Sequence, residues 1–202
     1  MTCNSLLGWI CLAGVAVALG GCVETAVGAG ATTAVAATSE KGIVGTVDDT
    51  KIRATINMLW MDSNIDMWRE VGLDVSEGRV LLTGKVEKPE WRVDAVKTAW
   101  RADGVKEVIN EIKVTDEGGL GNYARDSWIA TQLRTKLLFD KNVMSVNYSV
   151  DSVDQVVYVM GIARSQKELD VVINYARSLS YVKQVVNYAI LRSDPKRGDK
   201  AA

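Results

Sequence analysis

The chain is written twice. Shifted by 77 residues, Asp49 falls on Asp126, Ile52 on Ile129, Ile56 on Leu133, Val80 on Val157 and Gly84 on Gly161. The match runs on through Ala99 on Ala176, Val105 and Lys106 on Val182 and Lys183, Val108-Ile109-Asn110 on Val185-Val186-Asn187, and Val114 on Leu191. Apolar positions land on apolar positions through almost every segment, so each copy carries its own core and the chain divides into two small domains, 48–116 and 122–191. Between them, residues 117–121 form a glycine-rich link so short that the two bodies must sit close together.

Each copy opens with a helical stripe: Ile52, Ile56, Leu59 and Trp60 in the first, Ile129, Leu133 and Leu137 in the second. A β-hairpin follows. Val71, Leu73 and Val75 alternate, residues 76–79 turn, and Val80 to Val86 returns; the twin runs from Val146 to Val150 and from Val157 to Val159. The second helix begins at Lys88-Pro89-Glu90 in one copy and at the capping-box pattern Ser165 to Glu168 in the other. A last strand closes each unit, Glu107 to Val114 and Gln184 to Leu191. The order predicts an α+β fold, two αββαβ domains each with two helices on one face of a three-stranded sheet.

Composition removes several functions. With no histidine, the commonest general base and the commonest metal ligand are missing. The three cysteines, Cys3, Cys11 and Cys22, all lie in the first twenty-two residues, so the repeats hold no thiolate site. Neither a glycine-rich phosphate loop nor a motif-marked acid pair is present, and the chain is expected to be a binding protein, not an enzyme. A net charge of −1 gives no drive toward nucleic acid.

The cysteines belong to an address. Ser5 to Cys22 is uncharged and too short for a comfortable membrane span, so residues 1–21 read as a signal peptide, although its start lacks the usual Lys or Arg. Its end, Leu19-Gly20-Gly21-Cys22, resembles the bacterial lipobox, which implies acylation of Cys22 and no cofactor beyond that covalent lipid. The competing reading is an uncleaved anchor helix. By resemblance to lipoprotein sorting in enteric bacteria, Val23 directs the chain to the periplasmic face of the outer membrane. Residues 22–47, rich in Ala, Gly, Thr and Val, read as a tether.

Gly84 ending the second strand, with Gly104-Val105 and Val108-Ile109-Asn110 entering the last, resembles the BON domain, a lipid-surface module of bacterial envelopes. The second copy keeps Gly161 and Val185-Val186-Asn187 but has Tyr181 where the family usually has glycine, which predicts a reshaped turn. The resemblance covers about 140 residues. It implies an outer-membrane lipoprotein that supports envelope integrity and binds anionic phospholipid, with the first helix of the second domain as the contact.

Helical geometry supplies candidates for that contact. If Ile129, Leu133 and Leu137 face the sheet, then Trp128, Thr131, Thr135, Leu138 and Phe139 share another flank, with Arg134 as a cation for the headgroups. The first copy has Lys51, Ala54, Met58, Met61 and Asp62 there, without an aromatic ring. Charge follows the same asymmetry, −3 over residues 48–116, +2 over 122–191 and +2 over the basic tail 192–202. Two alternatives stand beside this one: Trp128 packs on the first domain or the linker, or both domains bind protein, such as a β-barrel assembly machine or a division partner. Trp60, Trp68, Trp91 and Trp100 are expected to be structural, with a surface position the alternative for Trp91.

Overall fold

The computed structural model describes residues 39–115, 120–195 and 197. The signal peptide, Cys22 and the tether up to residue 38 lie outside them.

The first copy opens with α1 (Gly42–Ser63), which extends into what composition reads as tether. Ile52, Ile56 and Trp60 are at most 3% exposed and form its inner stripe, and the Trp60 indole donates to the Ala95 carbonyl at 3.3 Å. Asn64 then stops the helix and starts another. Its side chain accepts from the backbone N–H groups of Asp66 and Met67, capping α2 (Ile65–Glu70), an element absent from the expected αββαβ order. Met67 of α2 is fully buried and plugs the core.

The hairpin β1 (Val71–Ser76) and β2 (Arg79–Val86) turns through Glu77 and Gly78, at φ 54° and 80°. Two left-handed residues in a two-residue turn match the twist of antiparallel strands. Asp49 of α1 holds the turn, its carboxylate accepting from the N–H groups of Glu77 at 2.9 Å and Gly78 at 3.0 Å. After α3 (Pro89–Ala99), the chain returns parallel to β2 as β3 (Glu107–Asn110) and β4 (Lys113–Val114). The expected single strand is broken between them, where the Asn110 side chain accepts from the Ile112 N–H and Ile112 turns into the core.

The second copy follows the same plan with α4 (Leu120–Phe139), a single 3-10 turn at Ser145–Asn147, β5 (Tyr148–Val153), β6 (Val156–Ala163), α5 (Gln166–Ser178) and β7 (Gln184–Leu191). Val146, expected in the strand, sits in the 3-10 turn, and β5 starts two residues later. Asp126 repeats the work of Asp49, accepting from Asp154 N–H at 2.8 Å, Gln155 N–H at 2.7 Å and the Ser152 hydroxyl at 2.9 Å. Ser165 caps α5, but the Glu168 carboxylate of the expected capping box binds the Met144 and Arg164 N–H groups instead.

Each strand pair also explains a glycine. Gly84 and Gly161 have φ of 114° and 149°, and a Cβ at either would lie 2.1 or 2.0 Å from the carbonyl oxygen of Glu70 or Asn147. No side chain fits there.

The helices cover one face of each sheet, and the other faces meet. Leu81 on one sheet buries against Val153, Tyr158 and Met160 on the other, with Ile109, Val186 and Tyr188 around them. Both faces of β6 are therefore dry, which is why it reads as a continuous apolar run. Polar contacts rim this seam: the Thr83 hydroxyl on Asp151, Arg79 on the Tyr188 carbonyl at 3.0 Å, and Lys113 on Asp154 at 3.5 Å. Burial pushes the Asp151 carboxyl up, against the pull of the Thr83 hydroxyl. Part of the basic tail is built into the structure, since Arg197 is only 7% exposed and makes two bonds of 2.9 Å to Glu77 and one to the Glu40 carbonyl.

Candidate functional surface

On α4 the inner stripe is complete: Ile129 and Leu133 are fully buried and Leu137 is 2% exposed. The opposite side carries Trp128 at 43% exposure, Leu138 at 66% and Phe139 at 78%, with exposed Thr131 and Thr135 between them. The Thr135 hydroxyl donates to the Thr131 carbonyl at 2.8 Å, so its polar group is satisfied on its own helix. The result is an apolar, uncharged ridge along the outer face of the second domain.

Arg134 stands apart from that ridge. At about 100° per residue it is about 120° around the helix from Trp128, and its guanidinium donates to the Val150 carbonyl on the free edge of β5. Arg53 does the same in the first copy, donating to the Leu73 carbonyl and to Asp74. Capping an edge-strand carbonyl is a structural task, and it turns Arg134 away from the aromatic corner.

Another cation takes that place. The Tyr181 ring meets Trp128 edge-on, with centroids 5.9 Å apart and planes at 77°, and the Arg125 guanidinium lies 5.4 Å from the centre of the same tyrosine ring. Tyr181 is 61% exposed, so Arg125, Tyr181 and Trp128 form an open stack at the start of the ridge. Trp128 thus packs on a ring of its own domain.

Tyr181 also corrects an expectation. The turn is not reshaped: Tyr181 has φ of 71°, in the same left-handed region as Gly104 at 93° in the first copy. A non-glycine residue there costs roughly 1–2 kcal/mol. Strain held at a surface residue whose ring completes an aromatic pair points to use of that ring. Sequence reasoning marked Tyr181 only as a departure and passed over Arg125, although three residues before Trp128 on one helix puts the two side by side.

The first copy builds nothing comparable, since Lys51, Ala54, Met58 and Met61 are exposed there and Gly104 has no ring. Of the other tryptophans, Trp100 is 52% exposed, contrary to expectation, because α3 ends at Ala99 and buries Ala95, Thr98 and Ala99 instead. Trp68 is half-buried and donates to Asn57 at 2.8 Å, and Trp91 is half-buried beneath the Lys88 ammonium. Among the described residues no helix is long and apolar enough to cross a membrane, and no cluster of acidic, Cys or His side chains is arranged to hold a metal.

The BON-domain family model matches residues 61–116 and 125–192, one match in each copy of the repeat. The chain belongs to the BON-domain family. The chain is 43% identical to an uncharacterized protein in the gshII 5′ region of Anaplasma centrale, over 75% of this chain and 99% of that one. It is 29% identical to the outer membrane lipoprotein DolP of Haemophilus influenzae, over 92% and 96%. Osmotically-inducible protein Y of Escherichia coli matches at 30% identity over 70% and 71%. A structure of CdsD, a structural protein of the type III secretion system of Chlamydia trachomatis, matches at 12% identity over 71% of this chain and 63% of that one, with a TM-score of 0.29, too slight a likeness to carry an argument. The organisation is that of a dual BON-domain, DolP-like protein.

Proposed function

We propose that this protein is a lipoprotein of the outer membrane, tethered through acylated Cys22 on the periplasmic side, and that its second BON domain binds anionic phospholipid in support of envelope integrity. One observation carries the reading. The strained, exposed Tyr181 completes a stack with Trp128 and Arg125 at the head of an uncharged apolar ridge, and the duplicate domain lacks all three. Indole and phenol rings suit the bilayer interface, where one edge is apolar and the other finds a polar partner.

The ridge is large enough to matter. Burying Trp128, Leu138 or Phe139 contributes about 1.5–3 kcal/mol each before the cost of association. Arg125, with Lys136 on the neighbouring flank, adds about 1 kcal/mol per cation at an anionic surface. Such a contact is weak and reversible alone, and serves a molecule already held by its acyl chains. The binding role needs no catalytic group.

The domain boundaries follow the repeat, with the first domain as scaffold or partner surface. Flotation of the Cys22→Ser chain, purified from the soluble fraction, tests the proposal. It should rise with phosphatidylglycerol vesicles and stay down with phosphatidylcholine. Indifference to both vesicles rejects phospholipid binding and leaves the reading in which the ridge binds a protein of the envelope machinery.

A further inference from the structure

A second site borders the ridge. Between the two domains runs a cleft of about 510 Å³, within the range of ordinary ligand pockets. One wall is the end of α2, with Arg69 and Glu70; the other is the flank of α4, with Tyr123, Ser127, Thr131 and Arg134.

Most of the other charges lining it are already engaged. Lys85 pairs with Asp154, Asp126 holds the β5–β6 turn, and Asp151 accepts from Thr83. Three charged groups remain. Among the described residues Arg69 has only a long, exposed pairing with Asp66 at 3.6 Å, and Arg134 spends one guanidinium nitrogen on Val150. Glu70 makes no ion pair among the described residues, and burial together with Glu87 and Asp66 pushes its carboxyl up, so a cation would relieve it. Two arginines on opposite walls, three hydroxyls on the wall that carries Arg134 and one acid beside Arg69 without an ion pair among the described residues are complementary to a ligand carrying a phosphate and an ammonium together.

We propose that this cleft binds a zwitterionic phosphodiester of the phosphoethanolamine type, its phosphate between Arg69 and Arg134 with the hydroxyls of Ser127 and Thr131, and its ammonium on Glu70. The site shares Thr131 with the border of the Trp128 ridge, whereas its domain 1 wall, Arg69 and Glu70, lies off the ridge and takes no part in vesicle binding there.

Amide NMR of the soluble Cys22→Ser chain, titrated with glycerophosphoethanolamine and with glycerophosphoglycerol, tests it. The first should shift the amides of Gly72, Gly84 and Ser127 and bind several-fold more tightly than the second. Glu70→Gln should erase that preference, and Arg69→Gln should weaken both ligands by about tenfold. Vesicles containing phosphatidylethanolamine that shift the same amides make the source a membrane lipid, whereas a response to the soluble diester alone makes it a free phosphodiester. No shift at these amides with any of the probes, or shifts that ignore both substitutions, overturns the proposal. Flotation of Arg69→Gln with phosphatidylglycerol vesicles should match that of the parent chain, so failure here is distinguishable from failure of the ridge.

Discussion

In the first BON domain Asp49 holds the N–H groups of Glu77 and Gly78; in the second, Asp126 holds those of Asp154 and Gln155. Gly84 and Gly161 occupy equivalent crowded positions, and Arg53 and Arg134 cap equivalent edge carbonyls from different turns of their helices. Outside this frame the copies part. Lys51 stands where the other has Trp128, and Gly104 where the other has Tyr181, both on the surface. The turn-holding carboxylates, the crowded glycines and the edge caps have been kept twice, while beyond the α2 insertion and the break between β3 and β4 the copies differ at solvent-facing groups, one of them strained. That difference is the ground for proposing the second copy as the binding surface.

The largest effect should come from the shared frame. Gly161→Ala and Gly84→Ala each drive a Cβ into a backbone carbonyl at positive φ, and each should cost about 4 kcal/mol or more, read from urea unfolding. A large loss in one copy and none in the other would break the equivalence. Asp126→Ala strands two turn N–H groups and the Ser152 hydroxyl and should cost about 2–3 kcal/mol, with Asp49→Ala similar, measured by thermal unfolding.

The asymmetric positions should behave otherwise. Trp128→Glu should weaken binding to phosphatidylglycerol vesicles about tenfold or more, a loss of roughly 1.4 kcal/mol or greater, with the melting temperature little changed. Lys51→Glu, its counterpart, should leave vesicle binding as it was. The smallest and most diagnostic effect belongs to Tyr181→Gly, which should raise stability by up to about 1 kcal/mol as the left-handed strain is relieved, while vesicle binding falls. A residue that costs stability and adds nothing to binding would contradict the use assigned to it.

The sequence showed the frame well because the frame is periodic. Ile129, Leu133 and Leu137 mark a buried stripe by spacing alone, and the 77-residue offset ties Asp49 to Asp126 before either is seen to hold a turn. It showed less where one residue serves two purposes. Asn64 ends one helix and caps the next, so α2 is hidden between longer stripes, and Val146 alternates like a strand residue but folds into a 3-10 turn. The site was half legible. Helical spacing put Trp128, Leu138 and Phe139 on one side, yet Tyr181 comes from a loop some fifty residues away, and only the fold brings its ring to 5.9 Å from Trp128. Arg134 shows the reverse limit: spacing gives a position on a helix but not the Val150 carbonyl that waits beside it.

The central claim is that the second copy, and not the first, meets the bilayer. Spin-labelled lipid in phosphatidylglycerol nanodiscs, added to isotope-labelled Cys22→Ser protein, tests it most directly, because broadening reports proximity residue by residue. The strongest broadening should fall on the Trp128 indole N–H, the Tyr181 amide and the amides of Leu138 and Phe139, with residues 51–61 of the first copy unaffected. Broadening centred on Met58 and Met61, or absent from both domains, would contradict it.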